Sequence, residues 1–134
     1  MMIENTAHYD ITSDLGAAEY AKLVPDGGHT VKMKDGKEYT VALFHQLRCL
    51  EILRNAYVDG AGVTPLTEHC MNYLRQSILC LADTRLESVR AAGGEHIVDF
   101  SADYTCRDWT AVYEAAETLQ NPEDAGEEAT DGHD

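Results

Sequence analysis

The sequence predicts a mainly α (α+β) fold: a small helical domain with one short β-hairpin. Three observations carry that reading. Apolar residues recur at intervals of three and four through successive stretches between residues 43 and 119. One stretch around Asp35-Gly36 alternates with period two instead. The length of 134 residues is one domain's worth, and 44% hydrophobic with 25% charged residues is an ordinary globular composition.

Taken in chain order, the first fourteen residues read as extended, and a short helix follows from about Asp14 to Val24, ended by Pro25-Asp26-Gly27-Gly28. Val31, Met33, Tyr39 and Val41 then form a hairpin. A two-residue Asp-Gly loop would set Val31 and Met33 opposite Glu38 and Thr40. A three-residue loop, Lys34-Asp35-Gly36 with Gly36 left-handed, pairs Val31 with Tyr39 and gathers the four apolar residues. The three-residue loop is the expectation.

Residues 43–57 switch to helical period, with Leu43, Leu47, Leu50 and Tyr57 as the core stripe and His45, Arg48, Cys49 and Ile52 on a neighbouring face. After Asp59-Gly60-Ala61-Gly62, Thr64 caps a second long helix with Pro65 at its first position. Its periodicity extends to about Ala91, where Gly93-Gly94 closes it. Residues 95–104 hold a weak strand signal. Thr105 and Asp108 form a variant capping box for a last helix, whose stripe is Trp109, Val112, Tyr113, Ala116 and Leu119. The domain therefore spans 1–120. Residues 121–134 carry six acids and no Lys or Arg, and read as a disordered acidic tail.

With 24 Asp and Glu against 10 Lys and Arg, the net charge is −14, of which the tail supplies −6. Phosphate backbones and anionic headgroups attract basic surfaces, so nucleic acid and membrane are excluded as partners. No run approaches the roughly 18 apolar residues of a membrane span, and the first twenty residues hold neither a basic start nor an apolar run. The expectation is a soluble, cytoplasmic protein, with Cys49, Cys70, Cys80 and Cys106 as buried thiols.

The chain has no phosphate-cradling glycine motif, Gly-x-Ser-x-Gly elbow or Cys-x-x-Cys pair. It does place His45 and Cys49 four apart on one helix, with His69 and Cys70 adjacent near the start of the next. An antiparallel helix pair would bring His45 and His69 together. His8, His29, His96 and His133 have no such partner spacing and read as surface residues.

Three strings go further: His45-Gln46-Leu47-Arg48-Cys49-Leu50; His69-Cys70-Met71-Asn72-Tyr73-Leu74-Arg75-Gln76, continuing to Thr84; and Thr105-Cys106-Arg107-Asp108-Trp109. In order and spacing they resemble the UstYa-like family of fungal secondary-metabolite proteins, over roughly residues 41–119. The resemblance implies oxidative tailoring of a small molecule or peptide (cyclisation, hydroxylation, desaturation or halogenation). It also implies two His-x-x-His-Cys motifs that gather a metal, with copper the leading suggestion. This chain departs from both motifs. Arg48 stands where the first motif has its second histidine, and Leu66 where the second has its first. Tyr104 replaces a histidine that many relatives place before Cys-Arg-Asp, and the N-terminal membrane anchor of most relatives has no counterpart in the first twenty residues.

A guanidinium cannot lose its proton to bind a metal, and its charge opposes a nearby divalent ion. The retained residues therefore suggest acid–base chemistry without a cofactor. His45 and His69 serve as base and acid, Arg48 holds a developing oxyanion, and Tyr73 and Tyr104 donate protons or hydrogen bonds. The expected reaction is redox-neutral cyclisation, isomerisation or dehydration of a polyketide-like or peptide-like intermediate. The alternative is a copper oxidase using His45, His69, Cys49 and Cys70. A third reading is a non-catalytic partner of an intact paralogue, and the pattern leaves room for a homo-oligomer or a complex with another cluster enzyme.

Overall fold

The computed structural model describes residues 1–3, 6–92, 95–99 and 102–121. Its elements run β1 (Met2–Ile3), α1 (Asp14–Ala21), β2 (Thr30–Lys32), β3 (Glu38–Thr40), α2 (Ala42–Val58), α3 (Pro65–Leu81), β4 (Ser88–Ala92), β5 (Glu95–Asp99), β6 (Ala102–Asp103) and α4 (Thr110–Gln120). The mainly helical architecture with a short hairpin is the one expected. Among the described residues, two further antiparallel pairings join it, β1 with β6 and β4 with β5.

α1 starts on Ser13, whose hydroxyl accepts a hydrogen bond from the Gly16 amide at 3.0 Å. Gly16 is obligatory there: a Cβ would lie 1.9 Å from the Asp10 carbonyl oxygen. The hairpin has the expected register. Val31 faces Tyr39, the Met33 amide donates to the Lys37 carbonyl, and Gly36 takes φ +79°. The shared apolar face is shorter than expected. Val31 is buried, but Met33 and Tyr39 are exposed, and Tyr39 donates its hydroxyl to Asp35 within the hairpin.

The stripe expected on α2 also needs correction. Leu50 and Tyr57 are exposed, while Phe44, Cys49 and Glu51 are the buried positions. The helix serves two seams: Phe44 faces α4, and Cys49 faces α3, so the buried residues do not lie on one line. Thr64 and Thr67 cap α3 reciprocally, through the Thr67 amide to the Thr64 hydroxyl and the Thr64 amide to the Thr67 hydroxyl. The helix stops ten residues before the expected end. Ala82 turns left-handed at φ +43°, and Ser88–Ala92 becomes a strand pairing Val89 with Val98. β-branched residues at 89, 97 and 98 favour that pairing over a further helical turn. The expected closure at Gly93-Gly94 lies outside the described residues.

α4 is capped by Asp108, not Thr105: the Asp108 carboxylate accepts from the Thr110 and Ala111 amides. Its stripe packs as expected apart from Trp109, which is half exposed at the helix start and meets Tyr113 edge-on. The core is Val31, Phe44 and Ala116, sealed by Val41, Leu43, Leu47, Val112, Tyr113 and Leu119. The Phe44 and Tyr113 rings meet at 4.8 Å and 70°. Two polar clamps hold α4 down. The Tyr113 hydroxyl donates to the Leu23 carbonyl at 2.6 Å, and the Gln120 amide donates to the Gly28 and Thr30 carbonyls at 3.0 and 2.8 Å. No helix among the described residues is long and apolar enough to cross a membrane. The acidic tail beyond Asn121 lies outside the described residues.

Candidate metal centre

α2 and α3 pack against one another in opposite directions, with late α2 beside the start of α3 and an offset that leaves early α2 beside residues 69–73 of α3. His45, in the first turn of α2, therefore meets His69, in the second turn of α3. Their Nε2 atoms are 3.4 Å apart, and the rings are inclined by 22°. Tyr73, one turn beyond His69, stacks on His45 with ring centroids 4.0 Å apart and planes 24° apart. Cys49, one turn beyond His45, points the same way. One nitrogen from each imidazole and the Cys49 sulfur all lie within 4.8 Å of one another.

The spacing of the two imidazoles fits a metal ion, with the Cys49 sulfur close by as a third donor. An N···N separation of 3.4 Å is long for a hydrogen bond between rings. It matches the edge of about 3.3–3.4 Å that bonds of about 2.0–2.1 Å subtend in a tetrahedron. Two imidazoles and one thiolate suit copper or zinc over calcium or magnesium. Burial is graded across the set: Cys49 is buried, His45 partly buried and His69 exposed. The site thus opens to solvent at His69.

The electrostatics agree. Burial holds His45 below the usual imidazole value, followed by the charges of His69 and His29, so its lone pair stays available. Burial, and then the hydrogen bond with Cys70, push the Cys49 thiol up to about 12. Without a cation this group is a thiol; a bound metal would take its proton's place.

The other expected site residues are placed differently. Cys70 is fully buried against Cys49 but falls outside the three-residue cluster. Arg48 turns from the imidazoles to Glu51, with Nη1 and Oε2 2.5 Å apart. Together they line a cavity of about 420 Å³ with His29 and the end of the α1–β2 loop. Tyr104 belongs to another neighbourhood. Its backbone pairs with Met1, its hydroxyl approaches Glu87, and the Arg85 guanidinium lies 3.8 Å over its ring.

Sequence reasoning missed Glu51, and His29, expected at the surface, is half-buried beside Arg48 and Glu51 and acts on His45 through its charge. Glu51 was signalled by its i,i+3 spacing from Arg48; His29 had no sequence signal, since it reaches the site from a loop. His8, expected at the surface, is exposed and bonded to Glu19. The side chain of His96, and all of His133, lie outside the described residues. Buried thiols were expected at four positions. Cys49 and Cys70 fit, but Cys80 and Cys106 are exposed, and all four are free. Cys80 lies in the last two turns of α3, where Ile78, Leu79 and Leu81 are exposed as well, and Cys106 sits in the connection before α4.

Comparison with known proteins gives one consistent result. A family model described as mycotoxin biosynthesis protein UstYa matches residues 5–117. The chain is 34% identical over 85 residues to the oxidase ustYa of Aspergillus flavus, covering 58% of this chain and 39% of that protein. It is 35% identical over 81 residues to the UstYa family oxidase phomYb of Diaporthe leptostromiformis, covering 54% and 32%. A third relative, the UstYa family oxidase aprY of Aspergillus flavus, is 31% identical over 103 residues, covering 63% and 30%. The chain thus spans roughly a third of the length of these relatives, and no solved structure matches it. With three recurring motifs and a match over most of its length, the chain belongs to the UstYa family.

Proposed function

We propose that the chain is a tailoring oxidase of fungal natural-product biosynthesis, acting on a peptide-like or polyketide-like intermediate through a metal held by His45, Cys49 and His69. The observation that carries this is the convergence of those three donor atoms within 4.8 Å. The oxidase names of the relatives support it. Copper is the favoured ion for this N₂S set, and bound there it would supply one-electron chemistry for oxidative cyclisation or hydroxylation.

The protein's own residues have definite tasks in this reading. The buried edge of His45 keeps its imidazole neutral, and Tyr73 fixes its plane. Glu51 draws Arg48 aside and compensates its charge, which removes the sequence-based objection that a cation stands where a ligand belongs. Exposed His69 marks the side from which substrate approaches. Leu66, at the other substituted motif position, is exposed and leaves that approach without a fourth protein ligand.

The second reading is cofactor-free acid–base cyclisation, isomerisation or dehydration. A neutral His45 would act as base, His69 as acid and Tyr73 as a hydrogen-bond partner; the facing imidazoles favour it. Elemental analysis and reconstitution separate the two. The oxidase reading expects one copper per chain and dioxygen-dependent turnover, lost on chelation and restored by that metal. Turnover that survives both chelation and exclusion of dioxygen would overturn it in favour of the second.

A further inference from the structure

α3 carries a second pattern on the flank away from His69. Thr67, Met71, Leu74, Ile78 and Leu81 follow one another at intervals of four, three, four and three. That is the spacing of a coiled-coil seam. Most of it is open among the described residues: Met71 is 60% exposed, Ile78 68% and Leu81 67%. Beside its first half lies an apolar cavity of about 490 Å³ between the end of α2 and the start of α3, walled by Leu53, Tyr57, Val63, Thr67 and Met71. Tyr57 and Val63 add further exposed area, at 73% and 89%.

We infer that this face joins two copies of the chain in an antiparallel, two-fold dimer. Three arguments select a second copy as the occupant. The first is charge. The chain carries −14 overall, but α3 holds only Glu68 and Arg75 and is neutral, so two copies repel least here. The second is register. A two-fold axis near residues 71–72 sets Glu68 of each copy against the partner's Arg75, giving two reciprocal ion pairs. The same register carries the partner's Ile78 and Leu81 over the cavity lined by Tyr57, Val63 and Met71, so charge pairing and apolar filling demand one arrangement. A parallel pairing would bring like residues together and leave the cavity unfilled.

The third argument is area. Five large side chains exposing roughly 100 Å² each put on the order of 500 Å² of apolar surface on each copy, about what the core of a small stable interface needs. The helix flank bearing His69 and Tyr73 stays outside the seam, so each copy keeps an open site.

Sedimentation equilibrium of the full 134-residue chain tests this. Twice the 14.8 kDa chain mass is expected at micromolar concentration. Ile78→Asp and Leu81→Asp should each weaken the dimer by at least about 30-fold, the effect of losing a hot-spot side chain, with far-ultraviolet circular dichroism unchanged. Glu68→Arg and Arg75→Glu should each weaken it, and the double exchange should restore it. A monomer at every concentration up to 100 µM, on the order of a weak dissociation constant, would overturn the inference. So would a dimer indifferent to both aspartate substitutions, or a double exchange that fails to restore what the single ones lose.

Discussion

The pH dependence of metal binding tests the site through one atom. Cys49 titrates at about 12 in the free protein, because its sulfur is buried and hydrogen-bonded with Cys70. Between pH 7.5 and 9, a range set well above the ordinary imidazole value of about 6.5 and below this thiol, Cys49 is fully protonated without metal. His45, held low by burial, is already neutral there. Each ion that takes the Cys49 sulfur must therefore release one thiol proton. The apparent affinity should rise about tenfold per pH unit across that window, a slope of about one in log affinity against pH. Copper binding is measured by competition with a chromophoric chelator whose own pH dependence is known, and proton release by titration in weakly buffered solution. Cys49→Ala should bind more weakly and with a slope near zero, because its remaining ligands need not ionise. A flat profile in the unaltered protein, or the same slope in Cys49→Ala, would remove the sulfur from the centre.

Other predictions concern the scaffold and the imidazole. Phe44→Ala should cost about 3–5 kcal/mol, since the ring is fully buried and meets Tyr113 edge-on; a urea midpoint change worth less than half of that would show the core to be elsewhere. Gln120→Leu strands the Gly28 and Thr30 carbonyls and should cost about 2 kcal/mol by the same assay. Ala82→Gly should stabilise by about 0.5–1 kcal/mol, because glycine takes the left-handed cap without steric cost. His45 takes up a proton near pH 6.5 when unfolded but only at lower pH when folded, so its contribution to stability is complete above 6.5 and declines as pH falls toward the folded value. The urea midpoint should drop on acidification from pH 8 to about 5.5, and His45→Gln should drop less.

Helices and hairpin were legible where local physics decides them. The loop at Lys34-Asp35-Gly36 followed from which register joins Val31 to Tyr39, and the start of α3 from Thr64-Pro65. The end of α3 was not legible, because residues 82–91 contain no proline or glycine, and the strand there depends on a partner, Glu95–Asp99, beyond the reach of a helical window. The buried side of α2 was misread for a related reason. A single-stripe reading assumes one packing partner, and α2 meets α1, α3 and α4, so Leu50 lost its place to Phe44 and Cys49.

At the site, the meeting of His45 with His69 was visible in the spacing once two antiparallel helices were assumed. The meaning of Arg48 was not. Taken alone, a guanidinium at a ligand position reads as a charge thrust into the centre, and that reading turned the expected chemistry away from metals. A buried carboxylate is costly unless it is paired, and Glu51 is a buried carboxylate one turn from Arg48. The energy that would be spent leaving Glu51 unpaired is what holds the guanidinium away from the imidazoles. Arg48 and Glu51 therefore have to be read as one neutral unit. In the proposed metal centre, Arg48 then costs at most one ligand and brings no net charge with it.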